Sequence, residues 1–139
     1  MSAVPAPRGF GPHGIVVRDA HFPGRAPIDA YGNGGFRFAE MSHRGAILCL
    51  PSGIHGWAPV GPADLDEAAF AAVRAEAGEI DVVFLGTGSA LVPLPEALRW
   101  SLAAAGLRVE AMTTGAAVRT YNVLLAEGRA VAAALLPVD

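Results

Sequence analysis

Residues 80–122 read I-D-V-V-F-L-G-T-G-S-A-L-V-P-L-P-E-A-L-R-W-S-L-A-A-A-G-L-R-V-E-A-M-T-T-G-A-A-V-R-T-Y-N, and the punctuation of this stretch decides the fold. Residues 82–85 are apolar without alternation, the pattern of a strand covered on both faces. Gly86-Thr87-Gly88 ends that strand. Pro95 suits the first position of a helix and Gly106 its stop, with Leu94, Leu98, Leu102 and Ala105 forming the inward stripe. Residues 107–112 give a second strand, and Thr114 can N-cap a second helix running to about 127, with Gly128 as its stop. Residues 130–136 form a final apolar strand. Two strand–loop–helix units side by side aim their loops at one shared crevice beyond the carboxyl ends of the strands, where open α/β sheets bind ligands.

Working outward, Asp64 followed by Glu67 resembles a capping box and predicts a helix through about 77, with Gly78 as its stop. Residues 46–50 form an apolar run of strand length stopped by Pro51-Ser52-Gly53, and 54–57 continue the sheet. Residues 28–31 and 36–38 flank Gly32-Asn33-Gly34-Gly35, in which Asn-Gly between β-like residues marks a hairpin. Residues 15–18 are a short strand candidate, and the Pro/Gly-rich residues 1–13 are expected to be loosely packed. The expectation is one α/β domain over residues 1–139. It has three layers, a mixed central β-sheet, about three helices, and N-terminal β-hairpins that extend or cover the sheet.

Composition narrows the function classes. The 139 residues are 53 % hydrophobic, with a mean hydropathy of +0.40. At this size roughly two-thirds of the unfolded surface can be buried. No apolar run approaches the ~20 residues that span a bilayer, so no transmembrane segment is expected. The prolines among the first dozen residues interrupt any signal-peptide core. All 10 basic residues are Arg, and the net charge is −3. Scattered arginines do not make a nucleic-acid footprint. The absence of Lys removes Schiff-base chemistry and a P-loop. The lone cysteine, Cys49 in A-I-L-C-L, reads as a small buried hydrophobe. Together with the Ala/Arg/Gly/Pro-rich composition, these features predict a bacterial cytoplasmic protein.

No catalytic constellation stands out. Gly86-Thr87-Gly88 with Glu110 downstream imitates a dinucleotide fingerprint, but the third glycine position is Leu91 and two prolines delay the helix. Thr114, Gly115 and the small residues after them let a ligand approach a helix start, with Arg119 near enough to reach an anion there; equally, Arg119 can tie down a loop. Ser52, His55 and a carboxylate such as Asp64 have the residue types of a nucleophilic triad without the G-x-S-x-G turn. The dispersed histidines predict no metal centre. Trp100 lies off the Leu98–Leu102 stripe, where it either covers the core edge or meets a partner.

I-D-A-Y-G-N-G-G-F-R-F, L-P-S-G-I-H-G-W, V-V-F-L-G-T-G, L-P-E-A-L-R and T-T-G-A-A-V-R-T-Y-N-V-L-L-A-E-G-R-A-V-A-A-A-L, in that order over residues 28–136, resemble a family of unassigned biochemistry. It includes the mitochondrial respiratory complex I assembly factor three and the adipogenesis-associated Mth-domain proteins. The resemblance implies a three-layer α/β fold, and a protein that acts by binding other proteins during membrane-complex biogenesis. It carries no catalytic residue and no cofactor. A small-molecule or anion-binding protein, including a cryptic enzyme, is the alternative to this reading, and a purely structural homo-oligomer is the third. The motif positions Ser52, Gly53, Gly86, Thr87, Gly88, Thr114, Gly115, Arg119 and Asn122 make up the candidate pocket; Tyr31, Gly32, Pro51 and Tyr121 also match the family motifs.

Overall fold

The computed structural model describes residues 21–139. The readings for residues 1–13 and 15–18 lie outside the described residues. Nine strands are described: β1 (His21–Phe22), β2 (Ala30–Gly32), β3 (Gly35–Phe38), β4 (Met41–Arg44), β5 (Ala46–Leu50), β6 (Gly53–Trp57), β7 (Val82–Gly86), β8 (Val109–Met112) and β9 (Val131–Leu135). The α-helices are α1 (Ala71–Ala75), α2 (Glu96–Ala104) and α3 (Thr114–Ala126). The main sheet has the order β1-β6-β5-β9-β7-β8. β9 pairs parallel with β7 and antiparallel with β5, so the sheet is mixed. β2, β3 and β4 form a separate antiparallel sheet.

The three central strands are buried at every position, as their unbroken apolar runs require. Period two divides their side chains between two cores. Ile47, Cys49, Val82, Phe84, Val131, Ala133 and Leu135 meet Ala117, Val118 and Tyr121 of α3 and Phe36 and Phe38 of β3. Leu48, Leu50, Val83, Leu85, Ala132, Ala134 and Leu136 meet Phe70, Val73, Leu98 and Leu102 on the opposite face. The layers are therefore α1 with α2, the main sheet, and α3 with the small sheet. Alanines at 132, 133 and 134 let both outer layers approach β9 closely.

Turn chemistry accounts for the small sheet. Asn33 and Gly34 both take positive φ, 53° and 78°, as a two-residue hairpin turn of the primed type needs. The next turn uses Ala39 and Glu40, also at positive φ. Neither residue advertises a turn, so β4 carries no sequence signal.

The predicted helix over 64–77 is broken. Asp64 turns back to accept from the amides of Val60 and Gly61 at 2.9 and 3.2 Å. Asp66 caps the following turn through Ala69 N at 2.9 Å. These local bonds compete with a continuous helix, leaving short 3-10 turns around α1. Gly78 lies inside the last of these turns instead of stopping a helix. α2 and α3 end as expected, with Gly106 and Gly128 at positive φ.

Candidate functional site

The chain leaves β7, passes through α2 on one face to β8, and returns through α3 on the other face to β9, on the far side of β7. The carboxyl end of β7 is thus the point where the connections diverge, and Gly86, Thr87 and Gly88 occupy it. α3 starts directly against this turn. A Cβ on Gly86 would stand 2.8 Å from both Cα and Oγ1 of Thr114, so only glycine allows the approach.

Thr114 is fully buried. It is the first residue of α3, and the cap itself is Thr113, whose side chain accepts from Ala116 N. The Thr114 hydroxyl instead donates to Leu136 O at 2.7 Å and accepts from Gly88 N at 2.9 Å. Its amide donates to Gly88 O at 2.9 Å. One hydroxyl therefore joins α3, the β7 turn and the end of β9. Thr87 is also turned inward. Its amide donates to Met112 O at 2.9 Å, and its hydroxyl donates to Ala90 O at 2.7 Å and accepts from Val92 N at 3.0 Å. The amides of Thr87, Gly88 and Thr114 are all committed to partners within the chain.

The tip of the β2–β3 hairpin reaches the same end, held by Gly34 N donating to Val138 O at 2.8 Å. The Tyr31 hydroxyl lies 2.4 Å and Arg119 Nη1 lies 3.4 Å from where a Gly115 Cβ would stand. Tyr31 is 42 % exposed and Arg119 is exposed, so this is the open part of the site. The pattern Y-G-N-G-G marks the hairpin but gives no sign that Tyr31 lands on α3.

Asn122 serves a different contact. Its Oδ1 accepts from Ile28 N and its Nδ2 donates to Ile28 O, both at 2.8 Å. It pairs with the chain before β2 as a neighbouring strand would. Ser52 and Gly53 are farther away. Ile47 is opposite Leu135 and Cys49 opposite Ala133, so the β5–β6 turn projects from the opposite end of the sheet to Gly86.

At that other end Ser52 Oγ lies 3.0 Å from His55 Nε2 and donates to Glu76 Oε2 at 2.6 Å, while Ser52 N donates to Glu76 Oε1 at 2.9 Å. The carboxylate holds the serine rather than the histidine. Its proton is directed to Glu76, so the order required of a nucleophilic triad is not met. Asp64 is held by Val60 and Gly61, whose amides keep its carboxyl below the ordinary value. Trp57 donates from Nε1 to Ala69 O at 2.7 Å and packs edge-on against Phe70. Nothing in the sequence marked Glu76 as the partner of Ser52.

Cys49 is buried, and burial pushes its thiol up to about 12, partly offset by a hydrogen bond with Tyr121. Burial, and then the nearby Cys49, raise the Tyr121 hydroxyl as well. Both groups are neutral at physiological pH. Among the described residues no group of three or more His, Cys, Asp or Glu is placed to hold a metal ion, and no helix is long and apolar enough to cross a membrane.

Residues 28–136 match the family described as protein of unknown function (DUF498/DUF598). The chain belongs to this family. An uncharacterised protein of Rhodobacter capsulatus is 45 % identical over 123 residues, covering 88 % of this chain and 94 % of that protein. The mouse protein named NADH dehydrogenase [ubiquinone] 1 alpha subcomplex assembly factor 3 is 29 % identical over 88 % of this chain and 66 % of its own length. Its human counterpart is 30 % identical over 79 % of this chain and 60 % of its own. Among solved structures, one described as an outer membrane protein from Bartonella henselae is 57 % identical, with a TM-score of 0.82 over 86 % of this chain and all of that one. A Bordetella pertussis protein described as a Mth938-like domain is 31 % identical, with a TM-score of 0.68 over 81 % of this chain and 85 % of that one. The DUF498/DUF598 fold is therefore the α/β fold of the Mth938-like domain.

Proposed function

We propose that this chain is a non-enzymatic interaction factor that assists the biogenesis of a respiratory or other membrane complex by binding protein partners. The observation that carries this reading is the similarity, over 88 % of the chain, to a protein named as an assembly factor for NADH dehydrogenase. The inward commitment of the Thr87 and Thr114 hydroxyls agrees with it. These groups hold elements together, which leaves the outer surface as the working part. The test is deletion of the gene in its own host, followed by native electrophoresis of membranes stained for NADH dehydrogenase activity. A fall in the assembled complex with a rise in subassemblies is expected. Unchanged assembly of every respiratory complex would count against the proposal.

A second reading rests on Arg119 and Tyr31 lying over Gly115 at the start of α3. In it, the Gly86–Gly88 and Thr114–Arg119 loops bind a small molecule or anion at their exposed rim. A thermal-shift screen of anionic metabolites with Arg119→Ala as control separates the readings. Stabilisation that disappears in Arg119→Ala supports this second one, and stabilisation that persists removes Arg119 from the site.

A further inference from the structure

We propose that the open edge of β8 pairs with the same strand of a second copy, making a two-fold dimer in which two six-stranded sheets become one. This goes beyond the assembly role and does not depend on it. β8 is the last strand of the main sheet among the described residues. Arg108 O accepts from Val83 N and Met112 O from Thr87 N. The amide and carbonyl of one strand residue point to the same side, and sides alternate along the strand. Arg108, Glu110 and Met112 therefore present their backbone groups to β7, and Val109 and Ala111 present theirs to the open edge.

The register follows from charge. A two-fold axis can pass through either a hydrogen-bonded or a non-hydrogen-bonded pair of an antiparallel ladder, so charge decides between the centres. Centring on Val109 lets the two copies of Val109 exchange both bonds, and sets Arg108 of each copy opposite Glu110 of the other. Directly opposite unlike charges stabilise a strand pair and like charges oppose it. Centring on Glu110 would let Val109 bond to Ala111 but would confront two glutamates across the seam. Centring on Ala111 would set Glu110 against Met112. Within one copy Arg108 Nη2 already lies 2.7 Å from Glu110 Oε2 on the exposed face of the strand, so the dimer would gather four alternating charges into one network. The edge is thus self-complementary in one register, which is what points to a second copy as the occupant.

The neighbouring surface agrees. Val109 and Ala111 pack with the core under α2, so their side chains lie on the α2 face. A two-fold axis perpendicular to the sheet places both α2 helices on that face, flanking the seam. There Trp100 is 69 % exposed, beside a groove of about 530 Å³ whose lining includes Arg99, Arg108, Trp100, Leu107 and Val109. Pairing would cover Trp100 and this groove from both sides.

Sedimentation of the full chain over a wide concentration range tests the proposal. The monomer mass is 14.2 kDa, and a rise to twice that is expected. Arg108→Glu alone and Glu110→Arg alone each set like charges across the seam and should remain monomeric. Mixing these two variants restores unlike charges across the seam and should produce a heterodimer, although neither variant regains its internal ion pair. The double exchange Arg108→Glu with Glu110→Arg should dimerise as the parent does. If a single variant does not fold, hydrogen exchange on the parent protein decides instead, since dimerisation should slow exchange at the Val109 and Ala111 amides at least tenfold. A parent that stays monomeric throughout, a dimer unaffected by either single change, or β8 amides indifferent to concentration would overturn the proposal.

Discussion

Replacing Thr114 by valine keeps the shape of a fully buried side chain and removes one hydroxyl. Two partners lose their bond at once: Leu136 O, now 2.7 Å away, and Gly88 N, now 2.9 Å away. Leu136 is buried and Gly88 half-buried, and a buried polar group left unsatisfied costs about 1–3 kcal/mol. The carbonyl at full cost and the half-buried amide at part of it give roughly 1–4 kcal/mol, a large share of the ~5–15 kcal/mol that holds an ordinary domain folded. Thr114→Ser is the control. It retains the hydroxyl and loses one methyl, worth roughly 1 kcal/mol. Urea unfolding followed by far-UV circular dichroism reads both. Valine should lower the midpoint clearly more than serine does, with the slope unchanged so that the difference reports stability. If valine proves as stable as serine, the hydroxyl is not the keystone joining α3, the β7 turn and β9.

Other outcomes follow from contacts of the same kind. Gly86→Ala forces a Cβ to 2.8 Å from the Thr114 backbone and should lose about 1–3 kcal/mol of overpacking strain; a smaller loss in urea unfolding would mean the turn can give way. Gly115→Ala should be mild by comparison, because the obstruction is the far end of the partly exposed Tyr31 side chain, and a loss as large as that of Gly86→Ala would contradict this. With its thiol pushed up to about 12 and buried, Cys49 should resist a thiol reagent at neutral pH until urea is added; rapid labelling of the native protein would show the core to be open there. The Asp64 carboxyl is held below its ordinary value by two backbone amides. Its stabilising effect is therefore present above the unfolded value and lost as pH falls through the folded one. A carbon-13 NMR titration should give a depressed midpoint that returns to normal in urea.

Much of the fold was legible because its signals are local. The runs 82–85 and 130–136 are apolar on both faces, Gly106 and Gly128 stop α2 and α3, and Asn33-Gly34 sets a hairpin. The misreadings arose where a residue type has two uses. Asp64 can open a helix or bind its own upstream amides, and the second wins. Thr113 and Thr114 can each cap a helix; the burial that draws Thr114 to Leu136 O leaves the cap to Thr113. The candidate residues were legible as a list but not as a place. Only strand register shows that Ser52 lies at one end of the sheet and Gly86 at the other. The hold of Asn122 on Ile28, 94 positions away in the chain, leaves no local mark at all.

The position of β9 between β5 and β7 has a consequence for synthesis. Every other described strand is made before residues 131–135, yet this strand fills the middle of the main sheet. Until it emerges from the ribosome, the nascent chain holds two half-sheets, β1-β6-β5 and β7-β8, each with an uncovered apolar border. Neither half can close on the other, because the element that joins them does not yet exist. A chain stopped before Val131 would lack the strand that contributes to both cores. The main sheet therefore cannot close before residues 131–135 are made, and the borders of β5 and β7 stay unpaired until then.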